Sequence, residues 1–120
     1  MARVRLRTVS QVRCGDKGNT VNIALFAPSE SLYRVFLREV TPERVKAHFR
    51  GWIEGEVIRH EVPNLLALNF VCRDALGGGG AGSIRVDNLG KCFGTNLQRM
   101  EIEVEDEMLQ EIGGVGNGDR

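Results

Sequence analysis

The stretch that decides the fold is residues 12–27, VRCGDKGNTVNIALFA. Its second half alternates strictly, with Val21, Ile23 and Leu25 on one face of a strand. A similar alternation runs over residues 3–13, and the glycine-rich centre between the two stretches is typical turn sequence. We therefore predict a β-hairpin with strands at residues 3–13 and 20–27, joined by a loop of six residues.

Helix signals follow the hairpin directly. Pro28-Ser29-Glu30 opens the first helix, and Thr41 offers a capping hydroxyl before the proline and the acidic first turn of the second. The first helix should open at residues 28–30 and the second at residues 41–43. A glycine at position 51 or 55 should end the second. The two stripes, which would pack against the sheet, comprise Leu32, Phe36 and Val40 in the first helix and Val45, Phe49 and Trp52 in the second.

The second half of the chain is less uniform. Three stretches are predicted to be strands, namely residues 56–62, 83–87 and 100–105. Residues 91–99 are ambiguous and fit one short helix. Residues 65–76 admit either a helix capped by Asn64 or a buried strand at residues 66–71, and we favour the helix. Helices packed on one face of a mainly antiparallel sheet give an α+β fold.

Composition narrows the functional classes. The 120 residues fit one domain, and 16 basic residues balance 16 acidic ones, so neither nucleic acid nor a membrane is expected as a partner. No apolar stretch approaches the roughly 20 residues of a membrane span. The three cysteines are widely spaced and form no CxxC pair. We therefore predict no metal site and no cofactor, and a reducing cytoplasm is the expected setting.

The predicted hairpin loop carries the densest polar cluster of the chain, Gly15-Asp16-Lys17-Gly18-Asn19. Gly15 and Gly18 allow positive φ, which would expose consecutive N–H groups as an anion-binding nest. Lys17 would add positive charge, and Asp16 would orient the lysine or act as a base. An ordinary hairpin loop with an Asx turn at Asp16 explains the same residues, and the chemistry alone favours that simpler interpretation.

Other residues are weaker candidates for ligand contacts. A second glycine run, without the lysine that a phosphate loop needs, comprises Gly77, Gly78, Gly79 and Gly80, and it fits a lid or a close backbone approach to a ligand. Asn22 should point away from the apolar face of its strand, and Asn69 is polar within an apolar run. His48 falls on the polar side of its helix. His60 shares a strand face with apolar neighbours and is interpreted as a core residue.

Five ordered motifs resemble the AtuA-like domain, a family found at the C-terminus of acyclic terpene utilisation protein A and as stand-alone small proteins. The motifs are RCGDKGNTVNI at 13–23, TPERVKAHF at 41–49, PNL at 63–65, ALNFV at 67–71 and ALGGGG at 75–80. The likeness ends near MEIEV at 100–104. The family usually has Ser where this chain has Cys14, which argues against Cys14 as a required nucleophile.

The resemblance implies a ferredoxin-like α+β fold over residues 1–105, and residues 106–120 lie beyond it as a tail that we expect to be disordered. It also implies a bacterial setting in acyl-CoA or acyclic terpenoid breakdown, beside an AtuA-like large subunit on a separate chain. With it, we expect a ligand site that joins Asp16 and Lys17, as catalytic candidates, to the contacts Gly15, Gly18, Asn19, Asn22, Asn69, His48 and the run Gly77 to Gly80.

Three functions stay open, in decreasing order of preference. The chain is an accessory subunit whose glycine turns complete a site for a carboxylate or a CoA thioester. Alternatively, it is an independent small lyase or hydratase that uses Asp16 and Lys17. The third possibility is a purely structural oligomerisation module.

Two expectations concern assembly. A sheet covered by helices on one face leaves its other face or an edge in need of protection, so a homo-oligomer is expected. In a ferredoxin-like sheet the first and last strands are antiparallel neighbours. That arrangement would bring a basic row, Arg3, Arg5 and Arg7, against an acidic row, Glu101, Glu103 and Glu105.

Overall fold

The structure is a computed structural model, which describes residues 2–75 and 93–110 and does not describe the side chain of Asp16. Within these residues there are six strands, β1 (Ala2–Arg5), β2 (Gln11–Lys17), β3 (Thr20–Phe26), β4 (Val57–Val62), β5 (Ala67–Cys72) and β6 (Glu101–Val104). The helices are α1 (Leu6–Val9), α2 (Glu30–Glu39), α3 (Pro42–His48) and α4 (residues 93–97), with 3₁₀ turns at Pro63–Leu65 and Asp106–Met108. None of these helices is long and apolar enough to cross a membrane.

The strands form two antiparallel sheets. One has the order β2-β3-β5-β4, and the other pairs β1 with β6. The core lies between the larger sheet and the helices, because Val21, Ile23 and Leu25 of β3 and the α2 residue Phe36 are all 0% exposed in the same cluster. The α+β architecture, with helices on one face of the four-stranded sheet, is as predicted.

The prediction of one continuous strand over residues 3–13 is wrong. The helical turn α1 interrupts it, and Leu6 and Val9 of that turn are both 0% exposed. Apolar residues three positions apart share one face of a helical turn, whereas they would point to opposite faces of a strand. The turn is held by Leu6 N–H donating to the Met100 carbonyl at 2.9 Å and by the Ser10 hydroxyl donating to the Leu6 carbonyl at 2.6 Å.

The β2–β3 hairpin is confirmed, but its loop is shorter than predicted. β2 continues through Gly15 to Lys17, which pairs with Thr20, so only Gly18 and Asn19 form the loop. Gly18 has φ +62°, a left-handed conformation that suits glycine in a tight hairpin turn. Gly15 is strand backbone opposite Asn22.

The favoured helix at residues 65–76 is wrong, and the alternative strand is confirmed as β5. β5 lies between β3 and β4, so hydrogen bonds on both edges satisfy its backbone. Leu68, Phe70 and Cys72 face the helices and are 0% exposed. Such a central strand is apolar almost throughout, and that pattern cannot be told from a buried helix by periodicity alone. Asn64 belongs to a 3₁₀ turn instead of capping an α-helix.

The two predicted helices are confirmed as α2 and α3. Ser29 accepts from the Leu32 N–H at 3.3 Å and Thr41 accepts from the Arg44 N–H at 3.2 Å, as N-terminal caps do. α3 ends at His48, earlier than predicted. Trp52 lies beyond it and keeps 41% of its surface exposed.

The pairing of the charged rows is confirmed for the first and last strands. Arg3 lies opposite Glu103 and Arg5 opposite Glu101. Arg7 does not join its row, because it lies in α1. On the other side of β6, Met100, Ile102 and Val104 are buried as predicted.

Part of the ambiguous stretch at residues 91–99 is helical, as α4. The predicted strand at 83–87, the Gly77–Gly80 run and the tail from residue 111 onward lie outside the described residues.

Candidate functional site

The tip of the β2–β3 hairpin is tied to the end of β5. The Asn19 side-chain amide donates to the Asp74 carboxylate at 3.1 Å, and the Ala75 N–H donates to the Asn19 carbonyl at 2.9 Å. Asp74 itself has φ +52°. Asn19, a predicted ligand contact, therefore fixes the hairpin tip against residues 74 and 75, which are separated from the glycine run only by Leu76 in the sequence.

The register of the four-stranded sheet defines the face that points away from the helices. Residues directly opposite one another in an antiparallel pair share a face, and alternate residues of a strand do too. We call this the outer face. Its positions are Gln11, Arg13, Gly15 and Lys17 of β2; Thr20, Asn22, Ala24 and Phe26 of β3; Ala67, Asn69 and Val71 of β5; and Ile58, His60 and Val62 of β4.

Four predicted site residues come together on the outer face. Gly15 lies opposite Asn22, and Lys17 is the next outer-face residue along β2. Asn69 lies opposite Ala24, one step along from Asn22, so the two amides are diagonal neighbours. Lys17 and Asn22 are exposed and Asn69 is half-buried. Lys17 and Asn22 are thus presented by paired strands instead of by a loop.

Gly15 leaves an opening in this face. A Cβ added to it would meet no described atom within 4 Å, and its φ is not in the left-handed region. Neither packing nor backbone conformation therefore requires glycine at position 15. The space lies between Arg13 and Lys17 on β2 and beside Asn22 on β3, so a ligand atom can approach the backbone closely there.

The electrostatics of the outer face differ from those of the whole chain. Its 14 positions include Arg13 and Lys17 but no Asp or Glu, although acidic and basic residues balance over the sequence at 16 each. Neither cation forms a hydrogen bond or an ion pair within residues 2–75 and 93–110. Other basic side chains of the same ranges are paired, among them Arg3, Arg34, Arg38, Arg44, Arg59 and Arg73.

His48 belongs to a different part of the molecule. Its Nε2 lies 2.6 Å from the carbonyl oxygen of Asn96 in α4, and its ring meets Phe49 edge-on at 5.1 Å. It lines a cavity of about 650 Å³ together with Arg44 and Arg99, and no outer-face residue is among the lining residues. The structure therefore does not bring His48 to the hairpin.

The two described thiols are poor nucleophiles. Burial raises the pKa of Cys14, although the Gly94 N–H acts in the opposite direction. Burial and the nearby Cys14 raise the pKa of Cys72 to about 12. Thiolate is the reactive form, so its fraction at neutral pH is small at both residues. In the described ranges, no three His, Cys, Asp or Glu side chains cluster as metal ligands would.

Sequence reasoning missed two outer-face residues, Arg13 and His60. His60 was interpreted as a core residue, but it is exposed and lies opposite Asn69. The alternative strand at residues 66–71 would have revealed the position of His60. Pairing that strand with β3 and β4 puts His60, Asn69 and Ala24 in one row of the sheet. A helix at residues 65–76, the favoured prediction, would not place Asn69 opposite His60 and Ala24.

The model of the AtuA ferredoxin-like domain family matches residues 4–103. A ferredoxin-like α+β domain is thus the class that the fold defines. The chain belongs to the AtuA ferredoxin-like domain family. Neither the curated proteins nor the solved structures give a match.

Proposed function

We propose that this chain is an accessory subunit that works with a separately encoded AtuA-like large subunit in acyl-CoA or acyclic terpenoid breakdown. Its contribution is an anion site on the β2–β3 hairpin for a carboxylate or a CoA thioester. Lys17 supplies the charge, Asn22 supplies amide donors, and Gly15 lets the ligand reach the strand. The family match supports the setting.

One observation carries the anion site. Lys17 is an exposed cation without a partner in the described residues, and the face around it has no carboxylate. A cation that is not neutralised within its own chain attracts an anion from outside. The side-chain amides of Asn22 and Asn69 can donate hydrogen bonds to the oxygen atoms of an anion. The chemistry of this face therefore favours a carboxylate or a phosphate group over a neutral ligand.

The same structure favours a binding role over an independent lyase or hydratase. Efficient acid–base residues usually have a pKa shifted by burial and by neighbouring charges. Apart from Asp16, whose side chain the structure does not describe, no Asp, Glu, His, Lys or Arg side chain of residues 2–75 and 93–110 is buried. The outer-face positions of β2 include 13, 15 and 17 and do not include 16.

The experiment compares Lys17→Ala with Arg50→Ala in the complex of this chain with the large subunit. Arg50 is a matched control, since it is also exposed and without a partner in the described residues but lies just after α3. Lys17→Ala should lower acyl-CoA turnover at least tenfold and change the free energy of unfolding by no more than about 0.5 kcal/mol. Arg50→Ala should change neither quantity.

Two results contradict the proposal separately. Wild-type turnover by the Lys17→Ala complex would rule out the anion site. Failure of the wild-type chain to bind the large subunit or to alter its turnover would rule out the accessory role.

A further inference from the structure

The outer face carries apolar side chains that the described helices do not cover, on both sides of the row that holds Asn69 and His60. Ala24, Phe26, Val71, Ile58 and Val62 are each half-buried, and none of them packs into the core cluster. The helices pack on the opposite face, where the β3 and β5 side chains are fully buried. Half-exposed apolar residues on adjacent strands of one sheet make the kind of patch that protein interfaces use.

The positive charge on the outer face favours a partner that carries carboxylates. Arg13 and Lys17 stand along its β2 margin, and none of the 14 outer-face positions is acidic. A second copy of this chain would bring the same unbalanced cations to a face-to-face contact, and like charges in an interface are costly. A partner with an apolar centre and carboxylates at its margin complements both features.

The β6 edge of the second sheet is closed to such a partner. On β6, the Glu103 N–H donates to the Glu39 carboxylate at 3.0 Å, and the Glu103 carbonyl accepts from Arg38 at 2.7 Å. The Glu101 carbonyl accepts from Arg44 at 2.8 Å. Side chains thus occupy the backbone groups that an added strand would need, which protects this edge from pairing.

We infer that the outer face is the surface on which the AtuA-like large subunit docks, through an apolar patch of the large subunit that has an acidic margin. This inference rests on the proposed function and adds where and by what chemistry the partner binds. The apolar contact covers Ile58 and Val71, and Arg13 pairs with a carboxylate of the partner. Lys17, near the hairpin tip, remains the contact for the small anion.

The test measures the affinity of the purified large subunit for variants of this chain by calorimetry. Arg13→Glu reverses an exposed charge on an edge strand, and Ile58→Glu puts a charge into the apolar patch. Each should weaken binding at least tenfold. The wild-type affinity should fall as salt rises from roughly 50 to 500 mM, because salt screens the attraction between opposite charges across an interface. Arg50→Glu, the same reversal away from this face, should stay within about twofold.

Folding and the competing outcomes are controlled separately. Arg13→Glu is the decisive variant, because substitution of an exposed, unpaired side chain should leave the fold intact. Circular dichroism of the variant checks that the fold is retained. Wild-type affinity in both outer-face variants would overturn the docking surface while the accessory role stands. No binding by the wild-type chain would overturn both. A dimer of the isolated chain that Ile58→Glu dissociates would show a second copy on this face and overturn the acidic partner.

Discussion

The carboxylate of Glu39, the last residue of α2, accepts a hydrogen bond from the backbone N–H of Glu103 on β6 at 3.0 Å. The neighbouring Arg38 donates to the Glu103 carbonyl from the same helix. A carboxylate and a guanidinium therefore bind the edge of β6 as a neighbouring strand would. This contact fastens the small β1–β6 sheet to α2, and it makes Glu39 a point at which pH acts on the fold.

We expect Glu39→Gln to lower the free energy of unfolding at pH 7 by about 1–2 kcal/mol, since charge-assisted hydrogen bonds are stronger than neutral ones. Burial opposes ionisation of Glu39, but the Glu103 N–H and the guanidinium groups of Arg38 and Arg44 outweigh it and hold the pKa below its ordinary value. The stabilisation is therefore complete above the unfolded-state pKa, at about pH 5 and higher, and is lost as pH falls through the lower folded-state pKa.

Urea unfolding from pH 7 to pH 2.5 measures this effect. The difference between wild type and Glu39→Gln should shrink toward zero at the acid end. Glu30→Gln is the control, because Glu30 pairs with Arg34 on the same helix while 75% of its side chain is exposed. Its effect should stay below about 0.5 kcal/mol. A loss in Glu39→Gln that is the same at every pH would contradict the role of the charge.

A second prediction concerns Arg59 on the helix-facing side of β4. Its guanidinium donates to the Leu37 carbonyl at 2.9 Å and to the Val40 carbonyl at 3.1 Å, with 17% of the side chain exposed. These carbonyls end α2 and have no partner within the helix. Arg59→Met keeps the apolar stem and removes the donors, so it should cost about 1–3 kcal/mol in thermal unfolding. Arg73→Met, at an exposed ion pair, should cost less than about 0.5 kcal/mol.

The parts of the fold that the sequence predicted are those in which local pattern and tertiary environment agree. β3 and β6 each have one buried and one exposed face, so strict alternation marks them. Ser29 and Thr41 cap helices through bonds to residues three positions ahead, which are visible in the sequence. In these elements the residues that decide the structure are neighbours along the chain.

The errors arise where the deciding contacts are distant. α1 forms because its N–H groups reach carbonyls of Met100 and Gln98, far along the chain. β5 is a strand because β3 and β4 pair with both of its edges. The site shows the same limit. Lys17 and Asn22 were found from the motif, but their association with Asn69 and His60 depends on strand register, which the sequence did not predict.

The close contact between α4 and β2 gives a third prediction. A Cβ at Gly94 would collide with the Cys14 sulfur and would lie 3.2 Å from Val12 Cγ2. Gly94→Ala should therefore destabilise the protein by about 1–3 kcal/mol, as overpacking does. Cys14→Ala in the same chain should recover part of the loss, which a double-mutant cycle of urea midpoints measures. Additive effects of the two substitutions would contradict the contact.

Thiol reactivity provides a fourth prediction. Because burial raises the pKa of Cys72 to about 12, its thiolate fraction at pH 8 is very small. In a Cys92→Ser variant of the native protein, Cys72 should resist iodoacetamide, and half-buried Cys14 should react more slowly than free cysteine. Mass spectrometry after digestion assigns the modified residue. Both thiols should react once urea unfolds the chain, and rapid native labelling of Cys72 would contradict its burial.

The two glycines of the hairpin give the last prediction, because the structure assigns them different roles. Gly18 has φ +62°, so Gly18→Ala should cost about 1 kcal/mol of stability through backbone strain. Gly15 has open space and ordinary strand backbone, so Gly15→Ala should leave stability unchanged or raise it by up to about 1 kcal/mol.

Ligand binding should not follow stability, because Gly15→Ala should weaken binding without lowering stability. The added Cβ of Gly15→Ala fills the opening between Arg13 and Lys17, so binding of a CoA thioester by the assembled complex should weaken severalfold although the protein is no less stable. Calorimetry and thermal unfolding on the same samples separate the two quantities. If Gly15→Ala binds the thioester as the wild type does, close backbone approach at Gly15 is not part of the site, and Lys17 and Asn22 act without it.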